Sequence, residues 1–297
     1  MHNFKYAIFV LLGGCCYGIL STFVKLAYAA GFSVEAVTIG QYFFGTIISG
    51  ITFLFNTKRV PNLLQSLKLM ALGIPFGLTG IFYYQSLQTV SASLAIIFLF
   101  QFVWLGTICD WLFHNNKPTF SKIFCLIILL VGSVLAANAL TTTPISFSRQ
   151  GLMWGLLSAL SYTSSIYLSG VVQTKTSPLL KSFLISIGAL IFVLLVFSPN
   201  LFINLNVLKE FSGYGLVLGL FGVALPPLLF SIGLPHIGPS LGTILSAIEL
   251  PVAITLSVLI LAETVTLLQW VGVCLILLSI IAGNINLKKI KLFDKRS

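Results

Sequence analysis

The sequence predicts an all-α integral membrane protein with ten transmembrane helices arranged as two inverted five-helix repeats. Three observations carry this prediction. Of 297 residues, 58% are hydrophobic and only 7% charged, and the mean hydropathy is +1.07, whereas roughly a quarter of the residues in soluble domains are charged. The apolar residues gather into ten stretches, each close to the ~20 residues a helix needs to cross about 30 Å of hydrocarbon. The second five stretches also echo the first five at one constant offset. Ser93 and Leu94 match Ser240 and Leu241, Ile97 matches Ile244, Thr119 matches Thr266, and Lys122 stands where Gln269 stands. A duplicated unit with an odd number of spans must enter the membrane in opposite orientations.

In chain order, the predicted spans of the first repeat (1–140) cover residues 5–30, 34–55, 66–88, 91–113 and 120–139. Those of the second repeat (150–290) cover 150–173, 178–198, 211–233, 240–261 and 267–287, and a basic tail follows at 288–297. Backbone polar groups in lipid must be satisfied within the segment or in a closed barrel, and these runs lack the period-two alternation of barrel strands, so each is a helix.

The formal charge of +10 reports orientation; it does not point to a nucleic-acid partner. Lys5, the group Lys58, Arg59 and Lys68, then Lys117 and Lys122, Lys175 and Lys181, and finally Lys288, Lys289, Lys291, Lys295 and Arg296 fall at every second boundary. Lys25, Arg149 and Lys209 lie at the others. The positive-inside rule therefore predicts a cell-membrane protein with both termini cytoplasmic, consistent with an even number of spans. The five cysteines have no metal-ligand spacing and read as small apolar residues, so neither metal nor cofactor is expected.

The run Gly238-Pro239-Ser240-Leu241, then Glu249-Leu250-Pro251, then Leu261 through Gly272 with Glu263, Thr264, Thr266 and Gln269 resembles the second repeat of the drug/metabolite transporter superfamily, EamA type. The resemblance spans the whole chain and implies ten helices in a five-plus-five inverted repeat. It further implies secondary transport of amino acids, amines or related metabolites and drugs. The first repeat departs from the pattern, with Trp104 at the position of Pro251, Asn116 at that of Glu263 and Cys125 at that of Gly272; Gln41 stands where relatives often carry arginine.

The residues supply a physical rationale of their own. Pro251 has no amide hydrogen, so the Ala247 carbonyl loses its helical donor and a polar defect opens near mid-membrane. Glu249, within a turn of that defect, is the most deeply placed ionisable group. A carboxylate at that depth must face a bundle interior or a wet cavity. Two readings follow: a ligand or proton-titrating switch for a cationic substrate, or a protonated side chain bonding to a neighbouring helix. Gln101 and Trp104, three apart on the counterpart helix, together with Tyr17, Tyr162 and Tyr84 near the centres of their spans, are the further candidate substrate-binding residues, because interfacial belts do not explain polar aromatics at midplane. Pro226 and Pro227 join Pro251 as candidate hinges. Glu263 is read as a helix-end cap, Asp110 with His114 as a solvated helix end, and Lys25 as a side chain snorkelling to the outer interface.

These features lead to an expected secondary carrier of a small polar organic metabolite, driven by alternating access and open to proton coupling, with a monomer sufficient. A carboxylate beside aromatic rings favours a cationic or aromatic amine or amino acid. The alternatives are a membrane-embedded enzyme or a channel or structural subunit. No phosphate loop, zinc helix, nucleophile elbow or paired intramembrane aspartates support the first, and the internal duplication favours a pathway within one chain over the second.

Overall fold

The computed structural model describes residues 2–55, 62–89, 95, 98–115, 117–136, 148–172, 176–197, 205–261 and 265–294, and its regular elements are all helices. They are α1 (His2–Ala29), α2 (Val34–Phe53), α3 (Leu63–Ala71), α4 (Gly73–Thr89), α5 (Phe102–His114), α6 (Phe120–Ala136), α7 (Arg149–Val171), α8 (Pro178–Val196), α9 (Leu205–Gly219), α10 (Leu225–Ile237), α11 (Pro239–Ser246), α12 (Glu249–Leu261) and α13 (Leu267–Asp294). Six helical runs are long and apolar enough to cross a membrane: Phe4–Ala29, Val34–Phe53, Leu63–Thr89, Pro178–Val196, Val207–Ile237 and Pro239–Ile260. Phe102–Phe113, Phe120–Ala136 and Leu267–Ala282 are apolar but shorter. The outward faces carry Leu54, Phe120, Leu195 and Leu267, while Thr38, Ser86, Ser158 and Thr243 are fully buried. Large apolar residues outside and hydroxyls inside suit lipid as the surrounding solvent.

Several apolar spans prove to be broken helices, and proline explains the breaks in the third and the ninth. Pro75 cannot donate to the Ala71 carbonyl, and the third span steps at Leu72, whose amide bonds back to Leu69 O at 3.2 Å. In the ninth span α11 stops at Ser246 and α12 starts at Glu249. Across that break the Ala247, Ile248 and Leu250 amides bond three residues back, at 3.3, 3.3 and 3.4 Å. The Ala247 carbonyl, which Pro251 cannot serve, is thus taken by the Leu250 amide. The break leaves Glu249 in the first turn of α12, where the amide end of the helix favours an acid.

Pro226 and Pro227 are handled differently. A π turn over Leu220–Ala224 precedes them, and they occupy the first turn of α10, where a missing amide costs least. Two hydroxyls of α8 serve the carbonyls that this irregularity exposes: Ser186 Oγ donates to Val223 O at 3.4 Å and Ser182 Oγ to Ala224 O at 3.2 Å. Helical conformation continues through the double proline.

Lys181, read from sequence as a cytoplasmic boundary charge, is only 1% exposed. Its Nζ donates to Ser169 O at 2.7 Å and Val172 O at 2.8 Å, closing the carbonyl end of α7 from the first turn of α8. Asp110, read as a solvated helix end, is likewise buried at 7% exposure. The side chain of His114 and the whole of Glu263 lie outside the described residues.

Two apolar clusters form the interior. One joins residues of α1, α5, α6, α7 and α10 to α13; the other joins the C-terminal half of α1 to α2, α3, α4, α8 and α9. Tyr17 and Tyr83 pack against both. Backbones approach closely at several crossings, among them those of α6 with α13 and of α1 with α12. A Cβ on Gly272 of α13 would lie 2.6 Å from Gly132 O of α6, and one on Gly18 of α1 would lie 2.6 Å from Glu249 O. Only glycine permits helix axes this close.

Candidate functional site

Between the two clusters lies a cavity of about 330 Å³. Its walls come from α1 (Tyr17, Thr22, Lys25, Tyr28), α2 (Gln41, Tyr42), α4 (Phe76, Gly80, Tyr83, Tyr84), α7 (Tyr162), α12 (Glu249, Ala253) and α13 (Gln269). Six of the chain's nine tyrosines line it, so the walls are aromatic with hydroxyl edges. Among the described residues its charged side chains are Glu249 and Lys25. The mouth lies where α1, α4 and α13 end, at the half-exposed Lys25, Leu87 and Val265.

The floor is an aromatic cluster. Tyr17 and Tyr162 meet edge to face at 5.6 Å, Tyr17 and Phe230 at 6.0 Å, and Tyr162 rests on Phe102 at 4.6 Å. Phe102 is the first-repeat counterpart of Glu249 at the offset noted in the sequence, so apolar bulk stands on one side where the other carries an acid. Behind the floor is a void of about 10 Å³ bordered by Ser165, Ser169 and Pro227.

Hydrogen bonding divides the polar wall in two. Tyr84 Oη donates to Gln41 Oε1 at 2.7 Å, and Tyr42 Oη donates to Phe76 O at 2.8 Å. Gln41 also presses its amide against Gly222 in the π turn, where a Cβ would lie 2.6 Å from Nε2. These groups are committed to holding α2 against α4 and the π turn. In contrast, Thr22 Oγ1, Tyr28 Oη, Tyr162 Oη and Glu249 Oε2 are buried and have no protein partner. Tyr162 and Glu249 are electrostatic neighbours, yet neither of those two atoms meets a hydrogen-bonding geometry. Among the described residues six such orphaned atoms exist, and four of them face this cavity.

The sequence candidates therefore separate. Tyr17, Tyr84, Tyr162 and Glu249 come together on one cavity. Gln101 and Trp104 are not among its walls. Trp104 Nε1 donates to Gln101 Oε1 at 2.7 Å, and both are half-buried. A turn at Phe100 and Gln101 interrupts the fourth span, so α5 starts afresh at Phe102 and turns Phe102 and Val103 inward instead. Pro226 and Pro251 lie outside the cavity walls, Pro251 two residues from Glu249, and Pro227 borders the small void.

Tyr28, Tyr42, Tyr83, Thr22 and Gln41 are cavity residues that the sequence did not single out as site residues, and Lys25 lines the cavity near its mouth. A signal was present: Tyr17, Ser21, Lys25 and Tyr28 recur at helical spacing along one face of α1. Among the described residues no group of three or more His, Cys, Asp or Glu could hold a metal ion.

The model of the EamA-like transporter family matches the chain twice, over residues 4–138 and 149–284. The chain belongs to the EamA-like transporter family. It is accordingly a multi-pass membrane transporter whose cargo is a small molecule. One solved structure, described only as a crystal structure of a protein, shares 14% identity and superposes with a TM-score of 0.75 over 97% of this chain and 99% of the other. At that identity the likeness concerns the fold alone. No curated protein matches the sequence.

In this EamA-like transporter the two family segments share a helix start. Thr266 Oγ1 accepts the Gln269 amide at 3.3 Å while Gln269 Oε1 accepts the Thr266 amide at 2.9 Å, a reciprocal capping box at the head of α13. Thr119 accepts the Lys122 amide at 3.4 Å at the matching place on α6. There the side chains diverge: Gln269 Nε2 donates to Ala136 O at 3.3 Å, and Lys122 Nζ donates to Ser240 Oγ at 3.3 Å.

Proposed function

We propose that this EamA-like transporter is a secondary-active carrier moving a small polar organic metabolite with an ammonium group by alternating access across the cell membrane, using ten spans in two inverted five-helix repeats with both termini cytoplasmic. The observation that carries the proposal is the set of orphaned polar atoms, Thr22 Oγ1, Tyr28 Oη, Tyr162 Oη and Glu249 Oε2, converging on one cavity. A buried polar group without a partner costs about 1–3 kcal/mol, and four such groups around one space are better explained by a ligand that satisfies them than by stability. Glu249 supplies the charge for an ammonium group, and Tyr17, Tyr83 and Tyr162 supply aromatic faces that attract the same end. The basic residues at alternate helix boundaries support the orientation, and the mouth beside Lys25 then faces outward. The broken ninth span and the π turn before Pro226 and Pro227 lie on helices that border the floor. They are the candidate hinges for closing the mouth and opening the opposite side.

Purified protein in liposomes, tested with amino acids, amines and nucleosides with and without a pH gradient, checks this reading. Uptake of ammonium-bearing compounds is expected, and so is its loss in a Glu249→Gln variant that remains monodisperse. Uptake of only anionic or sugar ligands overturns the substrate class, and undiminished flux in Glu249→Gln removes that residue from the site.

A further inference from the structure

The counterpart helices α6 and α13 lie side by side and run in opposite directions. Gln269 at the head of α13 bonds to Ala136 O near the end of α6, and Ser279 Oγ, further along α13, donates to Cys125 O near the head of α6 at 2.6 Å. A position at the mouth in one repeat thus has its counterpart at the far side in the other. At the constant offset between the repeats, Leu250, Ala253, Ile254 and Gln269 correspond to Val103, Gly106, Thr107 and Lys122. The first four all line the cavity. The second four are shut against the head of α11. A Cβ on Gly106 would collide with the Thr243 side chain, and Thr243 Oγ1 donates to Val103 O at 3.4 Å. Thr107 Oγ1 lies 3.5 Å from Ser240 Oγ, to which Lys122 Nζ donates at 3.3 Å. Val103, Thr107, Ser240 and Thr243 are all buried. Lys122 precedes the cavity residue Ala136 by fourteen residues, which sets this contact roughly 21 Å along α6 from the cavity wall.

The bonds between α4 and α2 and between α13 and α6 measure 2.7 and 2.6 Å. Those joining α5 and α6 to α11 are all long for their kind. Such a joint holds one arrangement without locking it, as a contact broken in every cycle requires. We propose that Thr107, Lys122, Ser240 and Thr243 form a latch between the two repeats that shuts the side opposite the mouth and parts when the mouth closes. This rests on the alternating-access reading above and says where the second opening forms: between α5 and α11, with Val103 and Gly106 on its wall as Leu250 and Ala253 are on the present one. Ser240 is the centre of the latch, because its one hydroxyl meets both Thr107 and Lys122.

Reaction of a water-soluble maleimide with single reporter cysteines in the detergent-purified full chain, followed at the reporter's own peptide by mass spectrometry, tests this without a substrate. Ala253→Cys reports on the mouth and Val103→Cys on the shut side. With the latch intact, Val103→Cys is expected to react on the order of tenfold more slowly than Ala253→Cys. Adding Ser240→Ala or Lys122→Met, in proteins that remain monodisperse, removes about one net hydrogen bond and should speed Val103→Cys about fivefold while slowing Ala253→Cys. Lys122→Arg should leave both rates as they were. Equal rates at the two reporters with the latch intact, a comparison that needs no latch variant, overturn the latch and leave the carrier reading to the liposome assay. So does a Val103→Cys rate unmoved by both Ser240→Ala and Lys122→Met. A faster Val103→Cys beside an undiminished Ala253→Cys means openings on both sides at once, which overturns alternating access and the latch with it.

Discussion

Tyr84 donates its hydroxyl hydrogen to Gln41 Oε1 over 2.7 Å, whereas Tyr162, on the same cavity and just as deeply buried, has a hydroxyl with no partner. One phenol ties α4 to α2, whereas the hydroxyl of the other makes no protein hydrogen bond. Replacing each by phenylalanine should separate the roles. Tyr84→Phe strands a buried amide oxygen and is expected to cost about 1 kcal/mol, visible as a lower midpoint of thermal unfolding. Tyr162→Phe removes an unsatisfied hydroxyl, so stability should hold while substrate binding falls. A larger stability loss in Tyr162→Phe than in Tyr84→Phe would contradict this division.

Lys181 holds the carbonyl end of α7 through Ser169 O and Val172 O. Methionine keeps the apolar stem but leaves both carbonyls without that donor in a buried site, so Lys181→Met is expected to destabilise on the order of 3 kcal/mol. Thermal unfolding in detergent measures it. A midpoint within a degree of the parent would mean the lysine contributes nothing to the helix end.

Gly18 allows α1 to rest on the Glu249 backbone. Alanine there would put a methyl carbon 2.6 Å from Glu249 O and 2.7 Å from Val252 Cβ. The helices must then separate, at about 1–3 kcal/mol. Because the shift moves α12 itself, ligand affinity should fall together with stability. Equal affinity in a destabilised Gly18→Ala protein would show that Glu249 tolerates displacement.

Thr266 and Gln269 cap α13 reciprocally, but Gln269 also donates to Ala136 O on α6. Thr266→Ala should cost about 1 kcal/mol, the usual value of a lost cap. Gln269→Ala should cost more, since it loses the cap and frees a carbonyl of the neighbouring helix. Unfolding midpoints of the two variants in the same detergent order them.

Much of the frame was legible because apolar length and proline position are local properties. Each apolar span carries described helix, and proline accounts for the steps at Leu72 and between Ser246 and Glu249. Glu249 stood out because an acid far from either end of an apolar span has few physical explanations. Tyr17, Tyr84 and Tyr162 stood out for the same reason. Gln101 and Trp104 were drawn toward a pocket by assuming an unbroken fourth helix; the turn at Phe100 and Gln101 resets the phase and Phe102 points inward instead.

By itself the sequence determined that this chain is an apolar, duplicated, helical membrane protein with one deeply placed acid, since composition, span length and internal offset are written along the chain. The tertiary structure alone decided which helix faces look at one another. Helical periodicity groups Tyr17, Lys25 and Tyr28 on a stripe, but the azimuth of that stripe follows from how α1 packs against α10 and α12. That packing brings Lys25 and Glu249 to the walls of one cavity, commits Gln41 to Tyr84, and leaves the hydroxyls of Tyr28 and Tyr162 without hydrogen-bond partners.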